Sequence, residues 1–425
     1  MLKRMIKKAT ATHEKRRLLE NFFFLSTLQG ANYLLPLITF PYLVRVIGVE
    51  KYGLMAFVQA FVGYFIILTD YGFNFTGNRL ISINRFDHEK VSKLYSSIMV
   101  VKMLLLLVSF LLFAGIIFLV PMFRAYWLLY FSAFLMVVGN VLFPVWFFQG
   151  MERMRFTTTI NIVSKVFFAV CLFVFVKEKE HLSRAVFLNS LGYLLGGVIS
   201  QYFVFHSFKL KFKFPSYSEI VFQLKDGWSV FVSTVAVSAY SYSRVVAMGI
   251  FTNQVITGYY AIADKIITLL KAFPLVPVAN TLYPRFSKMY TEDPGKTKKS
   301  MLRFQHFLDI FYFMLIPIVF IFSPQIVKLI SGLPHQQTVI ALRLLLISLL
   351  FTAMNALKVT FLLISGRNKD FAIIHVLAGV LGISAIMVGA YLFSFVGVSV
   401  ALICIEFMVF ALTARALGVK NRIVV

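Results

Sequence analysis

Asn21 to Leu80 reads NFFFLSTLQGANYLLPLITFPYLVRVIGVEKYGLMAFVQAFVGYFIILTDYGFNFTGNRL. Two apolar runs, each long enough to cross a bilayer, flank a short polar turn holding Gly48, Glu50, Lys51 and Gly53. Gln29 and Asn32 remain inside the first run, where polar side chains are costly in lipid. They are therefore expected to face protein or water, which makes this an integral membrane protein with a polar interior path.

The composition of the rest agrees. Of 425 residues, 60% are hydrophobic, and mean hydropathy is +0.84, above what soluble domains reach. The 48 phenylalanines suit lipid-facing helices. Cys171 and Cys404 lie in apolar runs without a CxxC pair, so neither a disulfide framework nor a thiol metal site is expected. No GxxxxGK[ST] loop occurs, which excludes ATP hydrolysis by that route and leaves ion gradients, membrane potential or the substrate gradient as energy sources.

About twelve spans are expected, near 20–44, 53–71, 97–121, 125–148, 158–176, 185–206, 227–250, 258–283, 304–323, 338–364, 371–392 and 394–415. The last two are divided only by a turn around Ser394 to Gly397. With the N-terminus placed inside as a basic tail, the cytoplasmic segments hold 28 Lys and Arg against 7 outside. This is the positive-inside asymmetry, with both termini cytoplasmic. The same distribution explains the net charge of +25 without a nucleic-acid partner. The loops are too short for folded domains.

The opening stretch resembles bacterial polysaccharide exporters, the Wzx-like flippases for lipid-linked O-antigen and related repeat units, in the superfamily that also holds MATE-type multidrug exporters. The matching residues are Asn21, Asn32, Tyr33, Leu35, Pro36, Pro41, Tyr42, Arg45, Gly48, Tyr52, Gly53, Asp70, Gly72, Asn74 and Arg79. PVWFFQGMERMRFTTTINIVSK (Pro144 to Lys165) looks like the family's loop after the fourth span, and GYYAIADKI followed by LYPRFSK (Gly258 to Lys288) continues the family order. The resemblance implies an all-α fold of two six-helix bundles. It also implies transport of undecaprenyl-diphosphate-linked oligosaccharide across a bacterial cytoplasmic (inner) membrane. Membrane lipids would be partners, and polysaccharide polymerase and chain-length proteins are further candidates.

FFQGMERMRF (Phe147 to Phe156) and LLISGRNKDF (Leu362 to Phe371) place a Gly, basic residues and a Phe at the cytoplasmic ends of the fourth and tenth spans. This echo reads as a parallel repeat of two six-span halves, an N-terminal lobe (1–206) and a C-terminal lobe (227–425). The linker between them (207–226) alternates Lys209, Lys211 and Lys213 with Phe208, Leu210, Phe212 and Phe214. Such a segment suits the anionic inner leaflet, and a β-strand would show the same alternation.

Within the spans, the charges taken as candidates are seven cations (Lys102, Lys165, Arg244, Lys265, Lys271, Arg343, Lys358) and two anions, Asp264 and Glu406. A cation-rich interior suits a diphosphate, which Arg grips as a fork and Lys as a point charge. Arg244, Lys271, Lys165, Arg45, Asn32 and Lys265 are the candidate substrate-binding residues. Asp264 is the candidate for H⁺ or Na⁺ coupling, or else an ion-pair partner for a base in the other half. Lys102 is expected to snorkel to the cytoplasmic face, and Arg343 and Lys358 sit near opposite ends of the tenth span, where snorkelling and function compete. Glu406 is expected as a protonated acid in a helix interface. Many relatives carry an acidic or neutral polar residue near Arg244, so this arginine departs from the family. Pro36, Pro41, Pro274 and Pro277 are expected to bend the first and eighth spans.

No metal, cofactor or catalytic residue is expected: the outer segments show neither paired carboxylates nor metal-ligand spacing. A carrier is therefore favoured over a membrane glycan polymerase or ligase. A MATE-like exporter of amphipathic cations predicts an acidic interior instead, and a scaffold for a synthesis complex is compatible with transport.

Overall fold

The computed structural model describes the backbone of residues 13–419. Side chains are described from residue 34 on and at Gly30, except at 233, 237, 239, 273–274, 276–281, 284, 368 and 419. Among the described residues every element is helical: one short 3-10 turn, Lys179–His181, and fourteen α-helices. In chain order these are α1 (His13–Asp70), α2 (Phe73–Asn84), α3 (His88–Leu119), α4 (Pro121–Arg124), α5 (Trp127–Leu142), α6 (Val145–Gly150), α7 (Met154–Phe175), α8 (Leu182–His206), α9 (Tyr217–Phe251), α10 (Gln254–Glu292), α11 (Pro294–Ile321), α12 (Ser323–Ser331), α13 (Gln336–Ile364) and α14 (Asn368–Val419). Eight helices among the described residues are long and apolar enough to cross a membrane, or nine if the bent pair Tyr217–Ala236 and Tyr240–Phe251 counts as one span.

Two of these helices are too long to be single spans. At 58 and 52 residues, α1 and α14 would each extend about 80 Å or more at 1.5 Å per residue, against a hydrocarbon core of about 30 Å. Each breaks at one residue. In α1 it is Gly48 (φ 81°, ψ 164°), a backbone conformation that glycine adopts without the Cβ penalty. The polar turn expected between the first two spans is thus a single kink. Pro36 and Pro41, expected as bends, sit within continuous helix: the break falls where φ turns positive. In α14 the break is Ser394 (φ 54°, ψ −140°), inside the turn expected between the last two spans.

The chain divides into two compact units. One comprises the chain up to Thr39, Val62–Lys177 and Ser183–Thr234; the other comprises Phe40–Phe61, Glu178–Leu182 and the chain from Val235 on.

In the first unit, the PVWFF segment is a packing element. Trp146, Phe147 and Phe148 are fully buried in a cluster with Phe73 of α2 and Tyr95 of α3. The Tyr95 and Trp146 rings lie 5.7 Å apart, and Arg85 bonds Glu152. Residues 209–216 of the expected linker form no regular element and bond to α3, where the Lys213 amide donates to Ser96 Oγ at 3.0 Å and Lys213 Nζ pairs with Glu89 at 2.7 Å. Tyr217 onward already belongs to α9, which opens with a capping box. Glu219 Oε2 accepts from the Ser216 amide at 2.7 Å, closing the S-x-x-E motif.

In the second unit, α13 packs against α10, α11 and α14. Two glycines set the approach of the second arm of α1 to α10. A Cβ on Gly53 would collide with the Gln254 carbonyl, and a Cβ on Gly258 with the Val49 carbonyl. Each glycine therefore faces the residue four positions before the other, a reciprocal contact that small residues permit in membranes. Two aspartates cap helices of the two units in the same way. Asp87 accepts from the Lys90 amide at 3.0 Å to start α3, and Asp293 from the Lys296 amide at 2.9 Å to start α11. Those amide bonds hold both carboxyls below the usual carboxylate range, so their contribution is present at neutral pH and lost as pH falls through the lowered value.

A Gly258→Ala substitution is expected to destabilise the purified protein by about 1–3 kcal/mol or more, through forced helix separation. Gly115→Ala, in α3 with open space around the new methyl, should raise stability by up to about 1 kcal/mol. Thermal unfolding in one detergent checks both, and equal shifts for the two would refute the packing argument.

Candidate functional site

The second unit encloses a polar cavity of about 40 Å³, lined by Tyr240, Ser241 and Arg244 of α9, Thr268 and Lys271 of α10, Ser348 and Thr352 of α13, and Glu406 of α14, with Ile267, Leu349 and Leu402 between them. Helical spacing explains the assembly. Asp264, Thr268 and Lys271 stand four and seven residues apart, on one face of α10, and Tyr240 and Arg244 are four apart on α9. Lys265 is rotated by about 100° from Asp264 and lies on another face. The seryl and threonyl hydroxyls of α13 are held by their own helix: Ser348 donates to the Leu345 carbonyl at 2.7 Å and Thr352 to that of Ser348 at 3.1 Å.

Two ion pairs organise the cavity. Arg244 Nη1 bonds Asp264 Oδ1 at 2.5 Å, with both side chains about five-sixths buried. Its Nε donates to the Ser241 carbonyl at 3.2 Å. Lys271 Nζ lies 3.6 Å from Glu406 Oε1; the carboxylate is buried and the lysine is 44% exposed. The first pair is a short, charge-assisted contact and the second is looser. With all four groups ionised, the charges of the two pairs cancel. An anion reaching this cavity must take a cation from its carboxylate, or the carboxylate must be neutralised.

Three expected residues, Arg244, Lys271 and Asp264, are therefore brought together. Asp264 finds its partner on the adjacent helix rather than in the N-terminal half. Glu406, expected as a protonated acid in a helix interface, faces Lys271. The remaining candidates lie elsewhere. Arg45 is exposed and donates to the Leu329 carbonyl at the C-terminal end of α12, beside Lys328 in an open cleft of about 600 Å³. Lys165 is half-buried on α7 in the first unit. The side chain of Asn32 lies outside the described residues.

Lys102 does not snorkel. It is 1% exposed, with Nζ 3.5 Å from Asp70 Oδ1, and Asp70 also accepts from Asn74 Nδ2 at 2.7 Å. Asp70, which closes the second span, and Asp309, inside the ninth, are intramembrane carboxylates beyond the two candidates; for Asp70, its place among the family-matching residues is the available signal. Arg343 donates to Ser323 Oγ at 2.9 Å and stacks over Phe320, and Lys358 Nζ sits 4.2 Å from the centre of the Phe410 ring. Both are cations held against aromatic faces.

The family described as "Polysaccharide biosynthesis protein" matches residues 18–290. A "Putative O-antigen transporter" of Escherichia coli (strain K12) is 30% identical over 403 residues, covering 94% of this chain and 96% of that protein. A "Putative O-antigen transporter" of Shigella dysenteriae is 29% identical over 279 residues, covering 64% and 67%. Among solved structures, an inward-facing multidrug resistance MATE family transporter of the MOP superfamily has a TM-score of 0.74 at 14% identity, covering 95% of this chain and all of the other. The lipid II flippase MurJ, inward closed, has a TM-score of 0.72 at 13% identity, covering 93% and 87%. At these identities the two structures establish a shared fold. The chain belongs to the polysaccharide biosynthesis protein family.

Proposed function

We propose that the protein is a carrier, not an enzyme, and that it moves undecaprenyl-diphosphate-linked oligosaccharide from the cytoplasmic to the outer leaflet of the bacterial cytoplasmic membrane. The cargo would be an O-antigen, capsule or exopolysaccharide repeat unit. Twelve spans in two six-helix lobes (1–206 and 227–425, joined by 207–226) would open alternately to each side, with both termini in the cytoplasm. The observation that carries this reading is the pair of cations, Arg244 and Lys271, meeting at one polar cavity in a chain related to named O-antigen transporters.

The two ion pairs suggest how such a carrier could cycle. The diphosphate exchanges places with Asp264 and Glu406 on Arg244 and Lys271, and a proton or Na⁺ offsets the displaced carboxylates. After release the internal pairs re-form, so the empty carrier never leaves a cation unpaired in the membrane. Transport then follows from unequal affinity of two conformations for the same head group. A second reading, export of amphipathic cations, draws on the same carboxylates. It requires Asp264 and Glu406 to bind cargo directly.

In proteoliposomes loaded with lipid-linked oligosaccharide, Arg244→Ala and Lys271→Ala are each expected to slow translocation by about 10- to 100-fold, the scale of one charge-assisted hydrogen bond. If both variants move the glycolipid at the intact rate, the site assignment is wrong. Efflux of an amphipathic dye cation by the intact protein, with no glycolipid movement, would favour the second reading.

Asp264→Asn alone should cost stability by about 3–5 kcal/mol, because Arg244 is left buried without its counter-charge. Adding Arg244→Gln should recover most of that loss while leaving transport impaired. Thermal unfolding beside the flux assay separates the two effects, and recovery of flux in the double variant would exclude a role for the guanidinium.

A further inference from the structure

Gln305 of α11 is buried against α13, and its amide is fully committed. Nε2 donates one hydrogen to Asp309 Oδ1 at 2.7 Å and the other to the Ala353 carbonyl at 2.9 Å. Oε1 accepts from the Leu357 amide at 3.0 Å. A backbone amide can only donate, so the atom facing Leu357 is the oxygen, which fixes the orientation of the side chain. Asp309, one helical turn further along α11, holds the amide from behind.

The two backbone groups that Gln305 engages are not orphans. Residues 353 and 357 are four apart in a continuous helix, so this carbonyl and this amide are acceptor and donor of one rung of α13. They would satisfy each other with no help from α11. The glutamine therefore fills no polar deficit; it contends for both partners of an existing rung. A rung whose donor and acceptor are both drawn elsewhere is weakened, and a side chain set into the ladder is a recognised cause of helix bending.

The neighbouring turns are loaded in the same way. Thr352 Oγ1 donates to the Ser348 carbonyl at 3.1 Å, and Thr360 Oγ1 to the Ala356 carbonyl at 3.0 Å. Hydroxyl bonds of this kind also favour bending. The carbonyls of 348, 353 and 356 thus each serve a side-chain donor, in a helix that packs against α10, α11 and α14. The engaged rung begins one residue beyond Thr352, and Ser348, Leu349 and Thr352 line the polar cavity.

We infer that Gln305 is a positioning residue that keeps α13 pliable at 353–357, so that the turn carrying Ser348 and Thr352 tilts independently of the rest of the helix as the cavity loads and empties. The use of this hinge rests on the carrier reading above; its existence does not, and is measured without cargo. Full-length protein in nanodiscs, with Cys171 and Cys404 replaced by Ala, would carry spin labels at Gln337→Cys and Ser365→Cys, about 40 Å apart along α13. Double electron–electron resonance then reads the spread of that distance. Gln305→Met, close in length and apolar, should narrow the distribution, leave the unfolding temperature unchanged or raised because the rung closes on itself, and slow glycolipid translocation by about tenfold, the scale of one hydrogen bond. Asp309→Ala, which leaves the amide in place but unanchored, should shift all three readouts in the same direction by less, and it keeps the test decisive if Gln305→Met does not fold.

A lower unfolding temperature with an unchanged distance distribution, in either variant, would overturn the inference and make Gln305 a simple tie between α11 and α13. A distribution that narrows in the variants, in a protein whose intact form moves no glycolipid, would overturn the carrier reading and leave the hinge standing.

Discussion

A charge inside hydrocarbon must have a partner, and much of this structure follows from that requirement. Arg244 meets Asp264, Lys271 meets Glu406 and Lys102 meets Asp70, while Arg343 and Lys358 rest on aromatic rings. Leaving such a cation uncompensated would cost several kcal/mol, a large share of the stability of any fold. The helices that carry these groups are consequently held in register: α9 against α10 by one pair, and α10 against α14 by the other. The surplus of intramembrane cations counted along the chain does not amount to an electropositive cavity, because the pairing is local and nearly complete where the polar groups converge.

The same pairs connect fold to transport. A carrier has to bind a charged head group without becoming unstable when empty. On the carrier reading proposed above, carboxylates in the place of the cargo's phosphates would meet both needs, because they would occupy the cations between cycles and be displaced or neutralised when the cargo enters. The short Arg244–Asp264 contact and the looser Lys271–Glu406 contact differ in how readily they would yield. Lys271 is also the more exposed of the two cations, which makes it the more accessible first contact for an anion.

Backbone geometry supplies the second constraint. Without a hydrophobic driving force between helices in lipid, association depends on close contact, and the reciprocal collisions that bar any side chain at Gly53 and Gly258 show how near the two backbones come. Breaks at Gly48 and Ser394 turn helices of more than 50 residues back on themselves. Aspartate side chains cap the starts of α3 and α11 with the same hydrogen bond.

Much of this could be read from the chain alone. Apolar runs of about 20 residues can only be helices in a bilayer, because the backbone must satisfy its own hydrogen bonds there. The family-matching residues likewise carried the fold and the family, and the acidic residues at 264 and 406 were visible as the rare anions of their spans. What the chain could not show was partnership. Asp264 and Arg244 are 20 residues apart, and Lys271 and Glu406 are 135 apart; which ones meet depends on how each helix is rotated and where its neighbour lies. Hydropathy determines that a helix spans, but not which face it turns toward another helix. For the same reason Lys102 looked like a snorkelling lysine until the fold placed Asp70 beside it. The PVWFF motif, legible only as a likeness to the family's loop after the fourth span, proved to place its aromatic rings in the core. Composition and length set the architecture, whereas the distances between side chains on different helices, on which charge neutralisation depends, existed only once the helices had packed.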